Sequence, residues 1–240
     1  MKNTQKTYQN NDLLKRIVNK LILKSCDLLD LGLFHGKMGL VIFFFHYAYF
    51  TKKSIYRKFA EQLLDEIFED IHDRLTLDLE NGYCGIGWGI EYLSQKKFIA
   101  GDTNEILESI DMKVMEWNLK RVKDLSLKNG IAGVFHYTTI SKSDKKSLIT
   151  PFDIDFLSDL EIVVSKNYIT SDTELKVLFD YYREWLKNKE LRYNPSSLLD
   201  IITKSNNLLN ENQDVMNIDI GIENGCAGYV FKKFLLREFI

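Results

Sequence analysis

Proline is nearly missing from this chain: Pro151 and Pro195 are the only two in 240 residues. An all-β protein of this length needs more turn punctuation than that, so short strands joined by tight turns are not expected. Cysteine is scarce too. Cys26, Cys84 and Cys226 are odd in number and far apart, with no Cys-x-x-Cys pair. That excludes a disulfide framework and makes a reducing cytoplasm the expected compartment. There is no apolar run of membrane-spanning length. The longest, Met38 to Phe50, contains His46 and is expected to be a buried helix. The stretch from Met1 to Asp12 is polar and lacks the apolar core of a signal peptide. Excess charge of one sign is also missing. With a net charge of -2, no global field draws the chain to nucleic acid or to a membrane, and neither is expected as a partner. Lys52-Lys53 and Lys145-Lys146 read as solvated surface. Nucleotide and hydrolase signatures are absent: Gly85-Ile86-Gly87-Trp88-Gly89 has the wrong glycine spacing, and no Gly-x-Ser-x-Gly or His-Glu-x-x-His occurs.

What is present is a repeat. Four segments align on their glycines without gaps: His35-Gly36-Lys37-Met38-Gly39-Leu40, Asn81-Gly82-Tyr83-Cys84-Gly85-Ile86, Asn129-Gly130-Ile131-Ala132-Gly133-Val134 and Asn224-Gly225-Cys226-Ala227-Gly228-Tyr229. Each precedes an apolar run. The leading glycines are 46, 48 and 95 residues apart. The last gap is about double, so one unit is expected to have lost its glycines near position 177, leaving Thr173 to Trp185 as an apolar helix. Amphipathic stretches lie between the elements. Asp12 to Cys26 carries Leu13, Leu14, Ile17, Val18 and Leu21 at helical spacing, and Ser54 to His72 carries Ile55, Phe59, Leu63, Ile67 and Ile71. Asp102 with Glu105 reads as a capping box opening a helix to about Leu125, and Ser171 with Glu174 as another. Thr150-Pro151 and Asn194-Pro195 read as helix starts. Ser141 to Ser147 and Asn206 to Asn212 read as exposed connections.

Each unit therefore reads as an amphipathic outer helix, a loop, and a Gly-x-x-Gly that opens a more apolar inner helix. The glycines are expected to permit φ > 0 and a close backbone approach. Hydrophobic residues at 45% suffice for one large core. The expected fold is all-α, an α/α toroid of about five helix pairs in a single domain over 1–240. An open solenoid has a similar period; the apolar surroundings of Leu40 to Phe45 and Ile86 to Leu93 favour helices packed on both sides, hence closure.

The segments Gly32-Leu33-Phe34-His35-Gly36-Lys37-Met38-Gly39 and Glu80-Asn81-Gly82-Tyr83-Cys84-Gly85-Ile86-Gly87-Trp88-Gly89-Ile90-Glu91-Tyr92-Leu93 resemble the glycine-rich repeats of the lanthionine synthetase C-like family. The resemblance runs from about Leu13 to Leu236. It implies an α/α toroid entered through such glycine motifs and an association with ribosomally made peptides. The family's cyclases use zinc to activate a cysteine thiolate for addition to a dehydrated Ser or Thr. They have more helix pairs than the roughly five available here, and they draw zinc ligands from a Trp-Cys-type motif and a Cys-His-Gly motif. This chain has no Cys-His pair. His35, Asn81, Asn129 and Asn224 stand where that histidine falls, preceded by Phe34, Glu80, Lys128 and Glu223. No zinc ligand carries over, so no cofactor is expected.

A different metal set, His35, Cys84, His136 and Cys226, is conceivable at one end of a toroid; against it, the two cysteines read as small buried residues beside glycine turns. His136 shares the register of Ile42, Trp88 and Phe231, which is a core or cavity-lining position. Glu91, a carboxylate in an apolar helix, is either a cavity acid or base or a group paired at the rim. Glu91 and His136 are thus the catalytic candidates, and His35, His46, Trp88, Glu91 and Tyr92 the cavity-lining ones. Three functions follow: a metal-free peptide-binding protein of a peptide-modification pathway, which is preferred; a divergent metal-dependent cyclase; or a carbohydrate-active toroid enzyme, which needs two facing acids. The expected partner is a precursor peptide. The apolar end Tyr229 to Ile240 also suits contact with the first helix, a second copy or a maturation enzyme.

Overall fold

The computed structural model describes residues 2–71, 74–100, 103–143, 151–169, 172–186, 193–204 and 215–235. Among these, regular structure is helical, with no strand. In chain order the α-helices are α1 (Lys2–Ser25), α2 (Lys37–Thr51), α3 (Ser54–Asp70), α4 (Tyr83–Gln95), α5 (Asn104–Met115), α6 (Ile131–Ser143), α7 (Ile154–Asn167), α8 (Thr173–Leu186), α9 (Ser196–Thr203) and α10 (Cys226–Val230). A π-helical turn, Phe231–Leu235, continues α10. No helix among the described residues is long and apolar enough to cross a membrane.

The chain divides into two compact units. Met1–Asp70 and Ser196–Ile240 make the first, and Ile71–Pro195 the second. In the first unit α2 is the central helix. Every residue from Lys37 to Tyr47 is buried, because its sequence is apolar all round. Helix α3 lays Ala60, Leu63, Leu64 and Ile67 against it, and Phe44 meets the edge of Phe59 at 4.8 Å. Lys37 ties the entry of α2 to α3 through Glu66 at 2.9 Å and Asp70 at 3.5 Å. Helix α1 buries Leu13, Leu14, Ile17, Val18 and Leu21 and packs on both α2 and α10. Its Lys20 is 2% exposed and donates to the carbonyls of Val215, at 2.8 Å, and Ile218. A buried ammonium is tolerable there because the oxygens replace its water.

The second unit repeats the theme. Helices α4, from Tyr83 to Leu93, and α6, from Ile131 to Ser141, are buried all round and pack on each other. Around them, α5 buries Leu107, Ile110 and Val114, α7 buries Phe156, Leu160, Val163 and Val164, and α8 buries Leu175, Leu178, Phe179 and Tyr182.

The four inner helices begin in one way. In each, the backbone N–H after the leading glycine closes a loop on the carbonyl six residues before that glycine: Lys37 on Asp30 (2.8 Å), Tyr83 on Thr76 (2.9 Å), Ile131 on Asp124 (3.0 Å) and Cys226 on Asp219 (2.8 Å). The expected φ > 0 is not found. Among the described residues no glycine has positive φ, and Gly36, Gly82 and Gly225 are extended. Close approach alone requires them. A Cβ on Gly130 would sit 2.5 Å from the Asp124 carbonyl and 2.6 Å from the Ser126 nitrogen, and one on Gly36 2.6 Å from the Asp30 carbonyl.

Other boundaries move. The helix expected from Asp102 to Leu125 stops at Met115, with Thr103 preceding its first residue, and a 3-10 turn follows at Leu119–Arg121. Asp102 lies outside the described residues. Pro151 does not open α7; Asp153 does, its carboxylate accepting from the Phe156 N–H at 2.8 Å, which a proline at that entry has no side-chain acceptor to match. Pro195 directly precedes α9, close to the expected start. The segment near position 177 is a helix, α8, yet it is amphipathic: Val177 is 46% exposed and Asp180 and Arg183 face solvent. Ile55 is 64% exposed because it lies at the first turn of α3, ahead of the stripe that meets α2. Ser141 to Ser143 belong to α6. Thr150, Ser171, Asn206 to Asn212 and Leu236 to Ile240 lie outside the described residues.

Candidate functional site

Within each unit, two glycine loops are fastened to one another by the same contact. In the first unit the Phe34 carbonyl accepts from the N–H groups of Ile222 (2.9 Å) and Glu223 (3.2 Å). In the second, the Lys128 carbonyl accepts from those of Leu79 (3.0 Å) and Glu80 (3.2 Å). The acceptor stands two residues before one leading glycine. The donors stand three and two residues before the other. Side chains at these positions reinforce the joint. Lys128 Nζ meets Glu80 Oε1 at 3.0 Å. In the first unit His35 takes the equivalent role, its Nε2 3.3 Å from Glu223 Oε2 and its Nδ1 3.7 Å from Asp219 Oδ2.

The polar atoms of α4 and α6 converge inside the second unit on Tyr193. Trp88 Nε1 donates to the Tyr193 hydroxyl at 3.1 Å, and that hydroxyl lies 2.7 Å from His136 Nδ1. An indole only donates, so the hydroxyl accepts from Trp88, and in the Nε2–H tautomer of the ring it gives its own proton to His136 Nδ1. His136 Nδ1 is then an acceptor and its ring proton sits on Nε2. Burial pushes the His136 pKa down to about 3, so the ring is neutral at ordinary pH. Trp88 stacks on Tyr92 at 5.2 Å, and the Tyr193 ring meets those of His136 and Tyr181 edge to face. The same burial raises the Tyr193 pKa well above that of a free phenol.

On another face of α4, Cys84, Gly87 and Glu91 follow one another at helical spacing. The Tyr137 ring crosses at Gly87, where a Cβ would lie 2.5 Å from its Cε2. Its hydroxyl donates to Asp111 of α5 at 2.6 Å, fully enclosed. Burial, then the Asp111 carboxylate, then Cys84 and Glu91, raise the Tyr137 pKa. Burial raises that of the Cys84 thiol too, aided by Asp78 and Asp111, so Cys84 is a thiol and a poor nucleophile. Tyr137→Phe removes the bond to a buried carboxylate. It is expected to lower stability by about 2 kcal/mol in urea unfolding, and a change below about 0.5 kcal/mol would show that the bond contributes nothing net.

The sequence-predicted residues fall into separate environments. Trp88, Tyr92 and His136 share the Tyr193 centre, and Glu91 shares the Tyr137 cluster. His46 is 1% exposed and packs edge-on against Phe231 at 4.8 Å. His35 is in the loop joint. The residues of the set His35, Cys84, His136 and Cys226 each have neighbours of their own within their unit. His35 turns to Asp219 and Glu223, Cys226 to the Lys20 ammonium at 3.9 Å, Cys84 to carboxylates and His136 to Tyr193. No group of three or more convergent ligand atoms among the described residues includes Cys84, His136 or Cys226. Among the described residues neither buried thiol has beside it the further convergent ligand atoms that a zinc ion needs. Tyr193, Tyr137 and Asp111 were not singled out by the sequence reading. The repeat held a further signal: Asp30-Leu31-Gly32-Leu33, Thr76-Leu77-Asp78-Leu79, Asp124-Leu125-Ser126-Leu127 and Asp219-Ile220-Gly221-Ile222 precede the four glycine elements in register. The Asp carboxylates turn these loops, accepting from the N–H groups of Gly32, Ser126 and Ile220 at 2.7–2.8 Å.

Comparison with known proteins places this architecture. The family model described as "Lanthionine synthetase C-like protein" matches residues 27–174, well over half of the chain and three of the four glycine loops. No curated protein and no solved structure matches. With a matching family model over helices α2 to α7 and the glycine loops that open them, the chain belongs to the lanthionine synthetase C-like family.

Proposed function

We propose that this chain is a peptide-binding member of its family, associated with modification of a ribosomally made peptide, and that it works without zinc-thiolate chemistry. The observation that carries this reading is the use made of the two positions before each leading glycine. They hold Phe34-His35, Glu80-Asn81, Lys128-Asn129 and Glu223-Asn224, where a zinc cyclase resembling this family needs Cys-His. Here these residues fasten one loop to the next, through the Phe34 and Lys128 carbonyls, the Glu80–Lys128 pair and the His35–Glu223 pair. Ligand positions converted into fasteners leave an architecture suited to binding.

The helix pairs close, on this reading, into an α/α toroid. Two features support closure. The first unit is built from both ends of the chain, with α1 and α2 packed on α10. The joint between the last and first loops also has the polarity of the joint between the second and third: the earlier loop of the ring order donates and the next accepts. Metal analysis of the purified full chain is expected to give far less than one zinc per molecule, and pull-down with tagged protein is expected to retain a precursor peptide identified by mass spectrometry. Stoichiometric zinc, lost in Cys84→Ala or Cys226→Ala, would favour the divergent cyclase instead.

A further inference from the structure

The Tyr193 centre is an unusual piece of packing. Trp88 and His136 occupy the same register of two inner helices, six residues after Gly82 and Gly130. Their polar atoms, one donor and one acceptor, point at a single oxygen. The residue supplying that oxygen belongs to neither helix. Tyr193 lies just before α9 and is not itself in a helix. It is 8% exposed, and its hydrogen bonds with described residues are those of its hydroxyl alone. Its side chain thus reaches α4 and α6 from outside both helices and is held there by its tip and its ring contacts.

We propose that Trp88 and His136 form a recognition site for a para-hydroxyphenyl group, the tyrosyl side chain of a bound peptide, which Tyr193 fills from within the chain. The chemistry selects this group. An apolar ring is required between the rings of His136 and Tyr181. A hydroxyl is required at its far end, because any other filler strands the Trp88 N–H and the His136 Nδ1 lone pair in a dry interior. A seryl hydroxyl is too short to place its oxygen there and fill the ring space as well. A phenyl group fills the space and leaves both polar atoms without a partner. The inference rests on the peptide-binding reading only for the source of the tyrosyl group; the donor–acceptor pair stands by itself.

The test uses the full chain carrying Tyr193→Ala, with 4-methylphenol as probe and toluene as the matched molecule without the hydroxyl. Buried sites emptied by truncation take up small molecules of the lost shape, and ligands that bind the folded form raise its midpoint. The expected result is a thermal shift with 4-methylphenol and a Kd at least about tenfold below that of toluene, as sites built around a hydroxyl reject analogues lacking it. Adding Trp88→Phe is expected to bring that ratio toward one. Equal affinity for the two probes, or no binding by a variant with the helical circular dichroism of the parent, overturns the proposal. If Tyr193→Ala does not fold, the unaltered chain titrated with N-acetyl-tyrosinamide and N-acetyl-phenylalaninamide decides it. A tenfold preference for the tyrosyl compound, lost in Trp88→Phe, supports the site, and no preference overturns it. A precursor peptide that binds the parent and Trp88→Phe equally keeps the peptide reading and overturns this site. Probe binding without precursor binding keeps the site and removes the peptide reading.

Discussion

Lowering the pH from 7.5 to 5.0 is expected to cost the protein about 2 kcal/mol of stability through His136 alone, and His136→Gln is expected to remove that part of the dependence. In the unfolded chain this imidazole titrates near 6.5, and in the folded state near 3, because burial disfavours the cation. Between those values the unfolded state binds a proton that the native state refuses. Stability contributed by the neutral ring is therefore complete above pH 6.5 and is lost as the pH falls toward 3, at about 1.4 kcal/mol per unit. The hydrogen bond adds to the resistance, because Nδ1 must stay unprotonated to accept from Tyr193. Glutamine keeps an acceptor oxygen and cannot titrate. Urea unfolding of both proteins from pH 7.5 to 4.5 isolates the term, since His35, His46 and the carboxylates are common to the two. Parallel stability curves would mean that His136 protonates in the folded protein near its ordinary pKa, with the Tyr193 centre open to water.

Gly82→Ala is expected to destabilise by about 3 kcal/mol or more, in the upper range for forced overpacking. The backbone at Gly82 has φ -108°, which alanine adopts without strain. Conformational entropy by itself would make the change favourable by about 0.4–1 kcal/mol. The added methyl, however, runs into the Thr76 carbonyl, with the Thr76 carbon at 2.5 Å and the Asp78 nitrogen at 2.8 Å. These are backbone atoms held by the Tyr83-to-Thr76 hydrogen bond, and they cannot step aside as a flexible side chain would. The loop must open, and the Leu79 and Glu80 bonds to Lys128 open with it. A measured loss below 1 kcal/mol would show that the loop is softer than its hydrogen bonding implies. The same reasoning extends to Gly36, Gly130 and Gly225, whose added Cβ atoms also meet loop backbone.

The alternation of apolar and amphipathic segments was readable because it records burial directly. Helices α2, α4, α6 and α10 are the most apolar segments after the glycines, and they are buried on every side over most of their length. The glycine period was readable for a similar reason: only a residue without a Cβ fits where a loop folds back on its own backbone, so the steric demand is written into residue type. Of the two reasons expected for the glycines, close approach holds at the loop glycines and positive φ does not, since sequence shows that a Cβ is forbidden and not whether torsion or contact forbids it. Helix ends were harder. Asp153 displaced Pro151 as the opening residue of α7, because a side-chain acceptor for an end N–H outweighs a pre-set torsion.

The candidate site divides along the same line. Trp88, His136 and Glu91 were visible as polar atoms in apolar helices, an expense that asks for partners. The partners were not visible. Tyr193 lies outside the two helices it joins, 57 residues from His136 in sequence, and nothing in its sequence neighbours marks it. Asp111 reads as one more charged residue of an amphipathic helix until the Tyr137 hydroxyl is found upon it. What the sequence by itself determined is what depends on one residue's own size, polarity and period: the helical class, the inner and outer helices, the glycine loops, the family and the missing Cys-His. Only the tertiary structure decided which polar atoms meet. Hydrogen bonds of this kind are set by the closing of long chain loops, and their specificity lies in distance and direction, which leave no periodic trace along the chain.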